Sequence, residues 1–246
     1  MKIFRYEMTD STNRRAREYA LCEFAELPAV FIADGQSDGY GRMGRKFDSE
    51  QGAGLYISFL FRPDEICGDA HQLTVRAAVA VARAIEKTCG LSARIKWVND
   101  IVSDGKKLAG ILAEGEFDSQ GNLDYAVLGI GVNLYSRKFP SEISDIAVAI
   151  EDKTGKSPNR EALIDTIIEE LFCECDWQTV IKEYRRRSSL IGKKITVHRM
   201  SGESFFATAL DITDSGALLV IRDDGVREEL ISAEVSLSVL PENTAK

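Results

Sequence analysis

Three short stretches carry residue types suited to phosphate and acyl chemistry. Gly39-Tyr40-Gly41-Arg42-Met43-Gly44 has the G-x-G-x-x-G spacing, and Arg42, Arg45 and Lys46 fall within five residues. In a dinucleotide site that spacing opens a helix whose N-terminus faces a pyrophosphate. Here Arg45 to Gly54 follows and a strand comes next, so no helix has room to form. That reading is rejected. A glycine-rich backbone with guanidinium forks can instead collapse around an anion. A loop that orders over a ligand also keeps water from a reactive intermediate. The plainer alternative is a surface loop with solvated cations, and spacing alone favours it.

Lys96-Trp97-Val98-Asn99-Asp100 ends a strand with a cation, an aromatic ring, an amide and a carboxylate. Gly105-Lys106-Lys107-Leu108-Ala109-Gly110 follows. Adjacent lysines on a strand point to opposite faces, so one can enter a site while the other stays in solvent. Two ordinary lysines beside a turn are the alternative. In Gly129-Ile130-Gly131-Val132-Asn133 the glycines mark close approach of a ligand or another backbone, or a bulge, and the two stand equal. His71 and His198 have no clustered partners, so no histidine triad or metal site is expected. Cys173 and Cys175 are expected on a helix, facing different directions. Arg185-Arg186-Arg187 reads as a solvated helix end favoured by the dipole.

The bulk of the chain narrows the setting. Its 246 residues suit one large domain, or one large domain plus one small one. Such a chain buries roughly 70–75% of its unfolded surface and needs no disulfide or metal to hold it. A formal net charge of −8 argues against nucleic acid and anionic membrane as partners. An anionic ligand must therefore be held by a local basic cluster. The five cysteines include no C-x-x-C pair, which suits reduced thiols. No apolar run resembles a signal or a membrane span, so a soluble, cytoplasmic protein is expected.

The elements that must position these residues follow from periodicity and punctuation. Lys2 to Tyr6 and Ala29 to Ala33 read as strands. Ser11-Thr12-Asn13 caps a helix over 14–24, and the cap can also serve as a ligand site. The segment 36–54, with five glycines, is a long loop of the kind kept for function. Leu55 to Phe61 is apolar on both faces and reads as a central strand. Asp69 to Cys89 is the clearest helix, closed by Gly90. Ala93 to Val98 is a strand. Hairpins turn at Asp104-Gly105 and over 118–122. Asn159 to Cys173 and Trp177 to Arg187 are helical. After Gly192, short strands broken at glycine turns suit a small antiparallel barrel. The boundary falls near 188–192, giving domains of 1–190 and 191–246.

Five motifs now stand in one order: Ser11-Thr12-Asn13, the glycine-rich loop at 39–47, KWVND at 96–100, KKLAGIL at 106–112 and GIGVN at 129–133. In that order and spacing the chain resembles the biotin–protein ligases, and GALLV at 216–220 is similar to their small β-domain. The resemblance implies an α+β fold. It would have a mixed sheet with helices on one side, of the class II aminoacyl-tRNA synthetase-like, biotin/lipoate ligase type. A small barrel of the Src-homology-3 type would follow it. It also implies the activity: ATP joins the biotin carboxylate to AMP, and biotin then passes to a lysine of a biotin carboxyl carrier protein.

The resemblance implies site residues as well. Ser11, Thr12, Asn13 and Gln36 would meet the ureido head of biotin. Gly39, Tyr40, Gly41 and Arg42 would cover biotin and phosphate, and Trp97 and Gly110 would shape the apolar pocket. Lys107 would contact the biotin carboxylate and the α-phosphate. Arg42, Arg45, Phe47, Asn99, Lys107 and Asn133 would serve ATP. Asp100 would hold Mg²⁺ or assist deprotonation of the carrier lysine, which makes Arg42, Lys107 and Asp100 the catalytic set. Met43, Phe47 and Val98 depart from the family's usual arginine, tryptophan and proline. The Ser-Thr-Asn motif begins at residue 11, so no N-terminal DNA-binding domain is expected; a homodimer is possible. Two rivals are a lipoate or octanoate ligase or transferase on the same scaffold, and a non-catalytic biotin-binding protein.

Overall fold

In a computed structural model of the chain, residues 1–62 and 70–237 are described. Two sheets organise it. The larger has seven strands: β1 (Lys2–Tyr6), β2 (Ala29–Ala33), β3 (Gly54–Phe61), β4 (Arg94–Lys96), β5 (Asp100–Ser103), β6 (Lys106–Phe117) and β7 (Leu123–Asn133), in the order β1-β2-β3-β7-β6-β5-β4. β1 and β2 are parallel and every other pair is antiparallel, so the sheet is mixed. All eight residues of β3 are buried, as its two-sided apolar sequence requires of an interior strand. At the β5–β6 turn Asp104 and Gly105 both have left-handed backbones (φ 47° and 79°), the type I′ geometry that matches strand twist.

Alternation along β3 and β7 sends two sets of side chains to opposite faces. Leu55, Ile57, Phe59 and Leu128 join the main core with α2 (Ala70–Cys89), whose Ala77, Val81, Ala84 and Ile85 are fully buried. α4 (Arg160–Leu171) and α5 (Trp177–Arg187) pack behind α2. Asn159 and Asp176 cap these two helices by accepting from the amides of Ala162 and Thr179. The other face carries α1 (Thr12–Ala20), where Ala16 meets Phe31, Leu60 and Val127. Helices therefore lie on both faces, not one. α1 is short and covers only part of its face, and the uncovered part holds the site.

α1 starts earlier and stops earlier than its sequence suggests. Leu21 and Phe24 are 80% and 84% exposed, so the expected last turn has nothing to pack against. Ser11 sits at the N-cap but makes no side-chain cap hydrogen bond. A short helix, α3 (Ile150–Thr154), lies in a stretch without a clear sequence signal.

The second sheet is antiparallel: β8 (Lys194–His198), β9 (Ser204–Ile212), β10 (Leu218–Arg222), β11 (Arg227–Leu230) and β12 (Glu234–Leu237), ordered β11-β10-β9-β8-β12. Its 213–217 turn seats against the half of the molecule that holds the large sheet. The Trp97 indole N–H donates to the Gly216 carbonyl at 3.0 Å, and the Trp177 indole N–H to the Asp214 carbonyl at 2.7 Å.

Two surface readings change. Arg187 is 4% exposed, not solvated; it pairs with Glu183 and Glu86 and donates to the Ala93 carbonyl. Arg185 reaches the second sheet at the Ile212 carbonyl, 2.7 Å away. Cys173 and Cys175 lie beyond the end of α4, and their sulfurs face each other at 3.5 Å. Cys67 lies outside the described residues. Among those residues no helix is long and apolar enough to cross a membrane.

Candidate functional site

A cavity of about 320 Å³ opens on the α1 face of the large sheet. Its floor is the glycine pair Gly110 and Gly131, opposite each other in register on β6 and β7. A methyl group at Gly131 would lie 2.4 Å from the Phe47 ring, and one at Gly110 would lie 3.3 Å from it. A methyl group at Gly129 would lie 2.3 Å from Asn13 Oδ1. These glycines are thus neither a bulge nor a backbone crossing. They admit the chain's own Phe47 and Asn13, which become part of the wall.

One end of the cavity is rich in hydrogen-bond acceptors. The Thr12 amide and hydroxyl both donate to Gln36 Oε1, at 2.8 and 3.0 Å, and Gln36 Nε2 donates to Ser49 Oγ at 3.0 Å. Ser58 Oγ, fully buried, lies 2.7 Å from Thr12 Oγ1 and 2.6 Å from Asn13 Oδ1. The two hydroxyl protons of Thr12 and Ser58 face three short oxygen–oxygen contacts. One contact is always without a proton, so oxygen lone pairs stay free at this end for donors on a ligand to meet. Ser11, free of its capping duty, lines the same end.

The other end is cationic. Arg42, Arg45, Lys46, Lys96 and Lys107 line the cavity against Asp48, Asp100 and Glu234, in a chain whose net charge is −8. This is the local basic cluster that an acidic chain needs for an anionic ligand. Lys107 Nζ lies 2.6 Å from Asp100 Oδ1 and 5.8 Å from the centre of the Phe47 ring. Lys106 points away and reaches the Ser144 carbonyl, so the two lysines divide as strand geometry requires. The Asn133 amide donates to the Lys107 carbonyl at 3.2 Å and braces that strand. Asn99 donates to the Ile111 carbonyl at 2.8 Å and accepts from Arg42 at 3.4 Å.

The glycine-rich loop arches over this end. Arg42–Gly44 makes one tight turn, with Met43 and Gly44 left-handed (φ 59° and 70°). The loop leans on the second sheet: Arg42 donates to Ser232 Oγ at 3.0 Å, and Arg45 grips the Glu234 carboxylate with both terminal nitrogens. Burial lowers the Arg42 pKa, against the opposing pull of Asp100 and Glu234. The Arg45 guanidinium, in turn, lowers the Glu234 pKa. Arg137, 11% exposed, anchors the far end of the loop through Asp48 at 2.7 Å.

Of the residues that the resemblance assigns to the site, all but Gly39 line this cavity. Gly39 packs behind it, where a methyl group would meet Ser49 Oγ at 2.4 Å. Trp97, 3% exposed, is both cavity wall and clip to the second sheet. The peptide between Trp97 and Val98 is cis, and the Val98 carbonyl accepts from the Tyr184 hydroxyl at 2.9 Å. Ser58, Glu114, Arg137, Ser232 and Glu234 escaped the sequence reading. Ser58 carried one signal, a small polar residue among the large side chains of a buried strand.

This geometry has relatives. Residues 6–133 match the family model described as the biotin/lipoate A/B protein ligase family. The chain belongs to that family. Residues 190–238 match the biotin protein ligase C-terminal domain. The bifunctional ligase/repressor BirA of Bacillus subtilis is 34% identical over 242 residues, covering 94% of this chain and 73% of its own length. The biotin–[acetyl-CoA-carboxylase] ligase of Paracoccus denitrificans is 32% identical over 243 residues, covering 92% of this chain and 97% of its own. Among solved structures, the biotin protein ligase of Aquifex aeolicus in complex with biotin and ATP superposes with a TM-score of 0.80. It is 27% identical, with 96% of this chain and 98% of that one covered.

Proposed function

We propose that this member of the family is an ATP-dependent biotin–protein ligase that forms biotinyl-5′-AMP and transfers biotin to a lysine of a biotin carboxyl carrier protein. The observation that carries the reading is the polarity of the cavity. Its acceptor-rich end suits a ureido ring, which brings two N–H donors, with the Ser11 hydroxyl for the ring carbonyl. Its middle, at Phe47, Trp97 and Leu112, is apolar, and its far end is cationic. Biotin has these three parts in that order. A lipoyl or octanoyl chain has no N–H donors and would offer the acceptors at Thr12, Asn13 and Gln36 nothing to bind.

The first step joins two anions. A biotin carboxylate oxygen attacks the α-phosphorus of ATP, and the bond to the departing pyrophosphate breaks. Lys107 and Arg42 stand where negative charge builds, and Arg45 extends that field toward the phosphates. In the second step a carrier lysine amine attacks the mixed anhydride, AMP leaves, and the amine loses a proton. Asp100 is the carboxylate placed to assist, and its charge also orients Lys107.

Mg²⁺ would come with the nucleotide. Asp100 Oδ1 is paired with Lys107 Nζ at 2.6 Å, so the ion would share this carboxylate with the lysine. Among the described residues no group of three His, Cys, Asp or Glu could hold an ion. One carboxylate with phosphates and water matches the way Mg²⁺ is usually held. The ion would supply charge neutralisation between the phosphates.

We further read the five-stranded sheet as a barrel of the Src-homology-3 type and the large domain as class II synthetase-like, with the boundary at 190/191. The order β11-β10-β9-β8-β12 and the match beginning at residue 190 support this.

The test is mass spectrometry after incubation with Mg-ATP and biotin, with lipoate in a parallel tube. Biotinyl-adenylate and pyrophosphate in the biotin tube alone are expected. A lipoyl-adenylate would move the chain to the lipoate branch. No product in either tube would favour a non-catalytic binder.

A further inference from the structure

Behind the cavity, outside its lining, Glu114 of β6 gathers three donors from two elements. Its Oε2 accepts from Asn13 Nδ2 and from the Tyr40 hydroxyl, both at 2.9 Å, while Oε1 lies 2.9 Å from an Arg17 terminal nitrogen. Asn13 and Arg17 belong to α1, and Tyr40 belongs to the glycine-rich loop. The side chain is 22% exposed, so these bonds are only partly screened by water. We propose that Glu114 is a positioning residue, a single carboxylate that ties the loop over the cationic end to the helix that builds the head-group end.

The identity of the residue follows from the donor count. Asn13 Oδ1 faces Ser58 at 2.6 Å, so its amide nitrogen must point away from the cavity and needs an acceptor. Tyr40 remains a donor across the working pH range, because burial, then the Glu114 charge, pushes its pKa up to about 12. Arg17 adds a cation, shared with Glu116 at 3.4 Å. Only an ionised carboxyl satisfies all three at once. A change at the loop tip is thereby felt at Asn13, and through Ser58 at Thr12 and Gln36, although Glu114 itself touches no ligand.

The inference rests on the ligase reading for its meaning, but its first test needs no ligand. Arg42, Arg45 and Lys46 make the loop cleavable by trypsin. In ligand-free protein, Glu114→Ala should speed cleavage there by about tenfold, and Tyr40→Phe should do so to a similar degree. The double variant should be no faster than Glu114→Ala, since both remove one linkage. Glu114→Gln, which keeps an acceptor for Asn13 and Tyr40, should recover most of the protection and guards against a mere folding defect. With ligand, Glu114→Ala should raise KM for biotin by about tenfold to a hundredfold, with a smaller change in KM for ATP. Wild-type cleavage rates in Glu114→Ala, or additive rates in the double variant, would overturn the proposal. Wild-type protein that binds no biotin would overturn the ligase reading, while the cleavage rates would still decide on Glu114.

Discussion

Lys107 is the side chain on which adenylation should depend most. It stands at the cationic end with its ammonium beside Asp100, and its backbone is held by the amide of Asn133. Lys107→Ala should slow adenylate formation by on the order of 10²–10³, as for loss of one preorganised charge. Rapid-quench kinetics would read it, and unchanged rates would remove Lys107 from the chemistry. Ser58→Ala is the matching variant at the other end. It removes the hydroxyl that braces Thr12 and Asn13 and should weaken biotin binding by about 1–3 kcal/mol, measured by calorimetry. These two residues differ in how well the sequence announced them. Lys107 was legible because alternation allows one of two adjacent lysines to turn inward, and the resemblance to the family singles out Lys107. Ser58 was not, because strand periodicity says which face a residue takes but not which loop or helix will later cover it.

At the scale of elements, the floor of the site is made by what β6 and β7 lack. Gly131→Ala would set a methyl group 2.4 Å from the Phe47 ring, so the ring must swing away. Biotin affinity should fall while the fold holds. The double variant Gly131→Ala with Phe47→Ala should lose less than the sum of the two single changes. Additive losses in binding would show that Phe47 does not rest on that floor. The hairpins and the helices α2, α4 and α5 were legible because each has its own local signal: Asp-Gly, a helical stripe, or an Asn or Asp cap. The glycines of GIGVN were noticed but not explained, since the rings and amides that fill them come from residues far away in sequence. The second face of the sheet was missed for the same reason. Whether a short helix such as α1 lies above or below a sheet is settled by long-range packing.

Across the whole molecule, the ion pairs around α5 set the response to acid. The Arg186 guanidinium, then that of Arg187, holds the Glu183 pKa down to about 2 from 4.5. A lowered carboxyl pKa contributes stability above pH 4.5, and that stability is lost as pH falls from there toward 2. Thermal melts should therefore drop steeply across that window. Glu183→Gln should melt lower at neutral pH, by on the order of 2 kcal/mol, yet show a flatter profile in acid. A variant with the wild-type slope would place the acid response elsewhere. Because Arg187 also holds the Ala93 carbonyl and Arg185 the second sheet, this loss should loosen both halves together.

The chain has two tryptophans, and both indole N–H groups donate to carbonyls of the same turn, at Asp214 and Gly216. Its intrinsic emission therefore watches one seam. A red shift would register the parting of the two sheets, not the melting of either core, and it should precede the loss of far-ultraviolet ellipticity wherever the seam opens first. For this protein a fluorescence titration is in effect a hinge measurement. Because Trp97 also walls the cavity, the same colour change would report on a ligand that draws the two halves together.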